Sequence, residues 1–482
     1  MRGARAGPAD AATRLDAVSG AARLGFAVGE AAGALRLNAY TESRGAGLTG
    51  AQSQASGGAL SLTLTQAPTE AALGWRVQGW LRGSDFSNSS VAVAADRGAT
   101  TLANDQFATP AIGAGLNAAL RRRSGTLEWE IGADARLTSG EERERFRYQG
   151  GGFTRQRIAG GATAVAGAYA EATRVAGPWL FTGGARVDRW SNSDGRRVET
   201  DTATGAITLA ESPTDRSGTV TSFRAGVRRR LSSTLAVRAA AYQGFRPATL
   251  NELHRPFRIG NDVTESNPAL EPERLTGAEL GLTAGDERLH LSLTAFATRL
   301  NDPIVNVTVG AGPATFPRAG FIPAGGVLRQ RQNAGRIDAV GLEAEAGGAL
   351  SSRLAWRAGV SVTDARIDGG SAAPQLTGLR PAQAPQISAS AGLEWTPAEA
   401  WRLSLDARYE SRRFDDDLNS RRLSPAVTLD AAAEHRLSPS LSAYLEAENL
   451  LDADVEASVT ADGVIGLGAP RIVRAGLRWR GG

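Results

Sequence analysis

The sequence predicts an all-β chain folded as a transmembrane antiparallel β-barrel, and three observations carry that prediction. Segments of about ten residues alternate apolar with polar or charged side chains, so each strand offers one face to hydrocarbon and one to water. Short turns alternate without a break with long polar connections, the plan of a barrel with tight turns on one side of a membrane and long loops on the other. Six of the nine tryptophans, Trp75, Trp129, Trp179, Trp395, Trp401 and Trp479, lie near strand ends beside the short turns. An interfacial aromatic belt belongs there.

Alternation is plainest in TLEWEIGADARL (126–137). Leu127, Trp129, Ile131, Ala133, Ala135 and Leu137 share one face, and Glu128, Glu130, Asp134 and Arg136 the other. WRLSLDARYE (401–410) repeats the pattern, with Leu403 and Leu405 opposed to Ser404 and Asp406. Taken in order, strands 21–29 and 33–43 flank EAA, 57–66 and 71–83 flank QAPTE, and 111–121 and 125–137 flank RRSG. Strands 160–175 and 179–190 flank AGP, 218–231 and 235–245 flank LSST, and 274–283 and 288–300 flank AGDE. Strands 330–346 and 353–365 follow; 385–395 and 401–410 flank TPAEA, 425–436 and 441–450 flank LSPS, and 470–480 closes the chain. The long connections fall at 84–110, 138–159, 191–217, 245–272, 301–329, 366–384, 411–424 and 451–469.

These segments make nineteen strands, whereas bacterial single-chain barrels carry an even number. Direction sharpens the mismatch, because the first and last strands both descend toward the short-turn side. At least one strand is therefore expected to be missing from the front. Residues 1–20 are expected as an extracellular-loop remnant or a disordered N-terminus, and 21–482 as the barrel.

Other classes fare worse. A soluble β-sandwich uses strands of about 5–6 residues, shorter than many segments here. The net charge is only +4 and the arginines are scattered, so nucleic acid is not an expected partner. No cysteine is present, which excludes disulfides and thiolate metal sites. No apolar stretch is long enough for a transmembrane helix, and the N-terminus shows no signal-peptide core.

One loop stands apart from its Ala/Gly/Ser/Thr-rich surroundings. GFRPATLNELHRPF (244–257) is followed by NPALEPERLTGAELGL (267–282). Together they resemble a segment of the TonB-dependent outer-membrane receptors, in which Phe-Arg-x-Pro-Thr-x-x-Glu-Leu leads to Asn-Pro-x-Leu-x-Pro-Glu. The matching residues are Phe245, Arg246, Pro247, Thr249, Glu252, Leu253, Asn267, Pro268, Leu270, Pro272 and Glu273, with Asn251 inside the same loop. AENLLDADV (447–455) resembles the family's Glu-Asn-Leu-Phe-Asp segment through Glu448, Asn449, Leu450 and Asp452, with Leu451 in place of Phe. GAPRIVRAGLRW (468–479) resembles its closing strand, although RGG follows Trp479 where the family usually ends on an aromatic residue.

The resemblance implies a Gram-negative outer-membrane location. It also implies a 22-strand barrel around a plug, and capture of a siderophore-iron or cobalamin chelate for TonB-energised import. About nineteen of those strands are expected here, without the signal peptide, TonB-contacting box and plug, so TonB is expected to act through a plug not present in this chain. The alternatives are a passive pore and a non-functional receptor fragment.

Arg246 and Glu252 are expected to lock the shape of a Pro-rich loop rather than to touch ligand. Phe257, Phe316 and Phe321, aromatic residues of long loops, are candidate ligand contacts. Asp415, Asp416 and Asp417 in FDDDLNS are candidate calcium ligands, since oxygen-rich loops bind calcium, against the simpler reading of a solvated loop. No cofactor and no catalytic residue is expected. His254, His290 and His435 are scattered, and none has a serine placed beside it.

Overall fold

The computed structural model describes residues 7–94, 96–286, 288–459 and 465–480. Its main element is a 21-stranded sheet. Two members, Thr100–Ala108 and Ile207–Glu211, are short additions at the outer rim. The other nineteen form the wall, each antiparallel to its neighbour in sequence, from Asp10–Val28 to Ile472–Trp479. Every predicted strand has its counterpart. Among the described residues every element is wall or outer loop, and no ladder joins Asp10–Val28 to Ile472–Trp479.

The alternation sets the two faces. Leu116, Ile131, Leu280, Leu342 and Leu405 stand exposed on the outer surface, with Leu280 at 64% and Leu477 at 69%. Such values suit hydrocarbon and no aqueous core. The polar set points inward and pairs across strands. Glu130 accepts from the Tyr169 hydroxyl at 2.6 Å and takes Arg121 as its cation. Arg186 bridges Asp134 and Asp188, and Arg238 donates to Glu279 at 2.8 Å. Cross-strand pairs of this kind are the unit of sheet stabilisation.

The short turns need backbone that few residues adopt. Gly125 and Gly177 start two-residue connections at φ 56° and 58°, a region open to glycine at little cost. The tryptophan belt follows from these ends: Trp179 and Trp401 begin strands, and Trp395 and Trp479 end them.

Three expectations change. The first strand begins at Asp10, so most of the stretch read as a loop remnant pairs with Ala31–Leu48; residues 1–6 lie outside the described residues. Its neighbour's hydrogen-bond ladder, not its side-chain pattern, extends it. Much of 84–110, 138–159 and 191–217 is likewise strand, because hairpins keep pairing beyond the membrane, as in Leu127–Gln149 with Gly152–Ala176. The segment read as 330–346 is two strands, Val327–Asn333 and Arg336–Ser351, broken at Gly335 with φ 56°. The first of these belongs to a four-stranded loop sheet with Phe257–Ile259, Asp262–Glu265 and Ile304–Ala311.

Candidate functional site

The receptor-like motif builds the foundation of the outer loops. The strand Leu235–Arg246 ends at Arg246, and Pro247 turns the chain. Thr249 then caps the short helix Leu250–His254 with extended φ −83°, ψ 159°. The capping box is reciprocal: the Glu252 amide donates to the Thr249 hydroxyl at 3.3 Å, and the Thr249 amide to the Glu252 carboxylate at 2.7 Å. Beneath the helix Leu253, Leu270 and Ala248 are buried together with Ile304 packed against them. Phe245 packs onto the wall cluster Val165, Trp190 and Val220.

Arg246 ties this unit together. It donates to Glu273 at 2.6 Å and to both oxygens of Glu252 at 2.9 and 3.0 Å. Glu273 also accepts the Ile304 amide at 2.6 Å, which fastens the loop sheet to the same lock. Burial raises the Glu252 carboxyl, but hydrogen bonds from Arg246 and Thr249 outweigh it and hold the group below its ordinary value. Asn267 receives the Ala269 amide on its side-chain oxygen at 2.9 Å and donates to the Arg331 carbonyl at 3.0 Å; its own amide donates to the Glu252 carbonyl at 3.1 Å. Pro268 is half-buried beside it, while Asn251 is exposed and offers its carbonyl to Arg331. The motif residues thus bond to one another and to the backbone of the loop.

His254 ends the helix buried against the wall glycines Gly161 and Gly195, and burial pulls its pKa down to about 4. His435 stacks on Trp401 at 4.3 Å, at the opposite end of the wall from the motif.

The second motif is also a turn. Asn449, at φ 48°, donates to the Ala453 and Ala469 carbonyls at 2.9 and 3.2 Å and accepts the Ala453 amide. Asp452 accepts the Arg471 amide at 2.9 Å, Glu448 pairs with Arg474, and Leu450 donates its amide to the Leu429 carbonyl at 2.6 Å.

The candidate ligand contacts separate. Phe316 packs against Val263, Ile322 and Leu328 inside the loop sheet, which makes it a core residue. Phe257 lies under the Arg331 guanidinium at 5.1 Å. Phe321 is exposed.

The three carboxylates of the acidic run turn to different partners. Asp416 accepts two amides and a hydroxyl from Ser420 and Arg421, and these donors outweigh burial to hold its carboxyl low. Asp417 accepts the Thr308 amide at 2.9 Å and faces Arg329, while Asp415 accepts the Val459 amide at 3.0 Å. All three carboxylates point at N–H or O–H donors, where a cation needs converging oxygens. Among the described residues no cluster of acidic or histidine side chains suits a metal.

A buried ionic network escaped the sequence reading. Arg157 lies between Glu144 and Glu199, and Arg197 joins Glu199 to Glu265 at 2.7 Å each. Arg255 meets Glu142, and Asp262 accepts from Arg329 and Arg421 at 2.9 Å each. Outer loops are thereby bonded to the strands Leu127–Gln149, Gly152–Ala176 and Trp179–Asp201. One signal was available: LRQRQN (328–333) is polar on both faces, which no lipid-facing strand is. Two cavities border the helix. One of about 500 Å³ lies against Arg136, Glu142, Thr249 and Arg255. The other, about 420 Å³, is lined by Glu252, Ile304, Arg329, Arg331, Leu376 and Asp415–Asp417.

A family model described as TonB dependent receptor-like, beta-barrel, matches residues 7–450. The chain belongs to the TonB-dependent receptor family. As a member it is an outer-membrane β-barrel. It is 25% identical over 221 residues to the vitamin B12 transporter BtuB of Photobacterium profundum, a match that takes in 46% of this chain and 32% of that relative. The ferric yersiniabactin uptake receptor FyuA of Yersinia pestis superposes with a TM-score of 0.75 at 14% identity, over 98% of this chain and 72% of that one. The copper transporter OprC gives 0.76 at 14% identity, over 97% and 72%. These two likenesses establish the fold shared with receptor barrels.

Proposed function

We propose that this TonB-dependent receptor barrel supplies the wall and the outer half of a site that captures a scarce metal chelate, siderophore-iron or cobalamin, for TonB-energised import. A chelate of that size passes porins poorly, and the outer membrane holds no ATP, so capture must be tight and the energy must come from elsewhere. One observation carries the reading. The loop locked by Arg246, Glu252 and Glu273 is built into the wall and borders a cavity of about 420 Å³ with arginines, carboxylates and apolar side chains on its lining. A passive pore has no use for outer loops tied down by buried ion pairs, whereas a ligand site must hold its lining fixed. The named relatives handle vitamin B12, ferric yersiniabactin and copper, which agrees with a chelate as cargo. In this reading the strands from Asp10–Val28 to Ile472–Trp479 act as one barrel unit, coupling to TonB runs through a plug domain, and Phe321 and Phe257 are contacts on the loop side. No chemical step on the cargo is proposed.

The test is uptake. A strain whose sole receptor is this barrel joined to a receptor plug domain is offered a panel of labelled ferric siderophores and cyanocobalamin, with and without TonB. Uptake of one panel member that vanishes without TonB is expected. Entry of small solutes that ignores TonB would establish the passive pore instead, and no uptake of any member would defeat the receptor reading.

A further inference from the structure

Beside the short turns, three arginines break the apolar outer surface, and they lie together. In the wall ladders Arg122 is paired with Trp129, Arg174 with both Leu127 and Phe181, and Arg229 with Trp179. Paired residues share a face, and Leu127, Trp179 and Phe181 are exposed to the outside, so the three arginines stand on the lipid side. All three are exposed. The Arg229 guanidinium lies over the Trp179 ring at 4.9 Å, and Trp179 stacks on Phe181 at 5.8 Å.

Their neighbour in sequence marks the contrast. Arg121 points inward and pairs with Glu128 and Glu130, whereas among the described residues no carboxylate pairs with Arg122, Arg174 or Arg229. Elsewhere around this rim the outward positions carry no arginine: Leu289, Trp395, Trp401 and Trp479 are apolar, and Gln66 and His435 are uncharged or stacked on a tryptophan partner. A cation at a membrane interface without a carboxylate partner leaves its stem on the hydrocarbon and its head among the lipid headgroups. One strand lies between each arginine and the next, a spacing of about 10 Å.

We infer that this sector, on the strands Ala111–Ser124 to Arg216–Arg230, binds an anionic phospholipid of the periplasmic leaflet, of the phosphatidylglycerol or cardiolipin class. The guanidinium forks take the phosphate oxygens in pairs, and the indole rings cover the glycerol and upper acyl region. Cardiolipin, with two phosphates, bridges two of the arginines. Zwitterionic phosphatidylethanolamine brings its own ammonium group and gains less. The short-turn side faces the periplasm, so the lipid comes from the inner leaflet.

The protein extracted from its own membrane in mild detergent is examined by native mass spectrometry, and the lipids that stay bound are compared with the bulk membrane. Phosphatidylglycerol and cardiolipin are expected to be enriched over phosphatidylethanolamine. The triple variant R122Q/R174Q/R229Q should fall to the bulk ratio, each single change lowering enrichment about fivefold, and the Arg→Lys versions should keep most of it. Heat-dependent gel mobility identical to wild type establishes that the triple variant is folded. A wild-type ratio equal to bulk would overturn the inference, as would enrichment that survives the triple change. Bound lipopolysaccharide in place of phospholipid, lost in the triple variant, would put the site in the wrong leaflet and overturn it as well.

Discussion

Replacing Arg246 with alanine should loosen the motif loop without unfolding the wall. The guanidinium satisfies Glu273 at 2.6 Å and Glu252 at 2.9 and 3.0 Å, and without it both carboxylates remain in partly buried positions. Removing one partner of a buried pair costs about 3–5 kcal/mol. Here the arginine is 43% exposed and water screens part of the interaction, which brings the cost to about 2 kcal/mol. Glu252 keeps the Thr249 amide and hydroxyl, and Glu273 keeps the Ile304 amide, so the loop weakens but does not collapse. The assay is hydrogen exchange by mass spectrometry in detergent. The Leu253 amide, bonded to Thr249, and the Asn267 amide, bonded to Glu252, report directly on the lock. A loss of about 2 kcal/mol should speed their exchange about thirtyfold. Arg402→Ala, which breaks an exposed lumen pair with Glu394 at 2.9 Å, should leave both amides unchanged. If R246A exchanged like wild type, or if R402A had the same effect, the lock would not be what orders this loop.

Acid should open the same loop in two stages. The folded pKa of His254 is near 4 against an ordinary 6.5, so the opened loop binds more protons between those values, and protection should decline as pH falls through that window. His254→Gln should flatten that stage, measured as exchange corrected for its intrinsic pH dependence. The Glu252 contribution is full above 4.5 and is lost below it as the carboxyl protonates, so a second decline should appear there and be absent in E252Q. On the wall, spin labels at Leu403 and Leu405 should report lipid and those at Ser404 and Asp406 water, and Leu405→Arg should cost about 2–4 kcal/mol in a refolding titration; equal exposure of the two sets would refute the face assignment. Calcium should not raise the thermal stability of the outer loops, while Asp416→Asn should speed exchange of the Ser420 and Arg421 amides that Asp416 now accepts.

The wall was legible because its physics is one-dimensional. Alternation of period two in a segment such as 401–410 fixes which side chains meet lipid, and nineteen such segments translate directly into nineteen strands. The capping box of Thr249 and Glu252 was equally local, since three residues separate its halves. Burial of charge could not be read in the same way. Glu142, Glu144, Arg157, Arg197 and Glu199 stand in stretches that scan as solvated loops, and only their partners on other strands and on Glu265 take them out of water. The packing of Phe316 was hidden for the same reason: an aromatic residue in a long loop looks free until the loop supplies its own small core. The segment 330–346 was read as one strand because the run LRQRQN, polar on both faces, continues directly into the alternating strand Arg336–Ser351, while its pairing partners belong to the loop sheet.

The ladder pattern also bears on the order of assembly. Each wall strand pairs with the wall strands before and after it in sequence, so the wall can form one hairpin at a time across alternately short and long connections. The parallel pairing of Val263 with Leu328 is different: two wall strands, Glu273–Gly285 and Leu289–Asn301, intervene and must be in place before its ends can meet. The parallel ladder is therefore the non-local part of the outer loops, and the Arg246 unit at the top of the Leu235–Arg246 strand ties its sheet to the wall through Glu273 and the Ile304 amide.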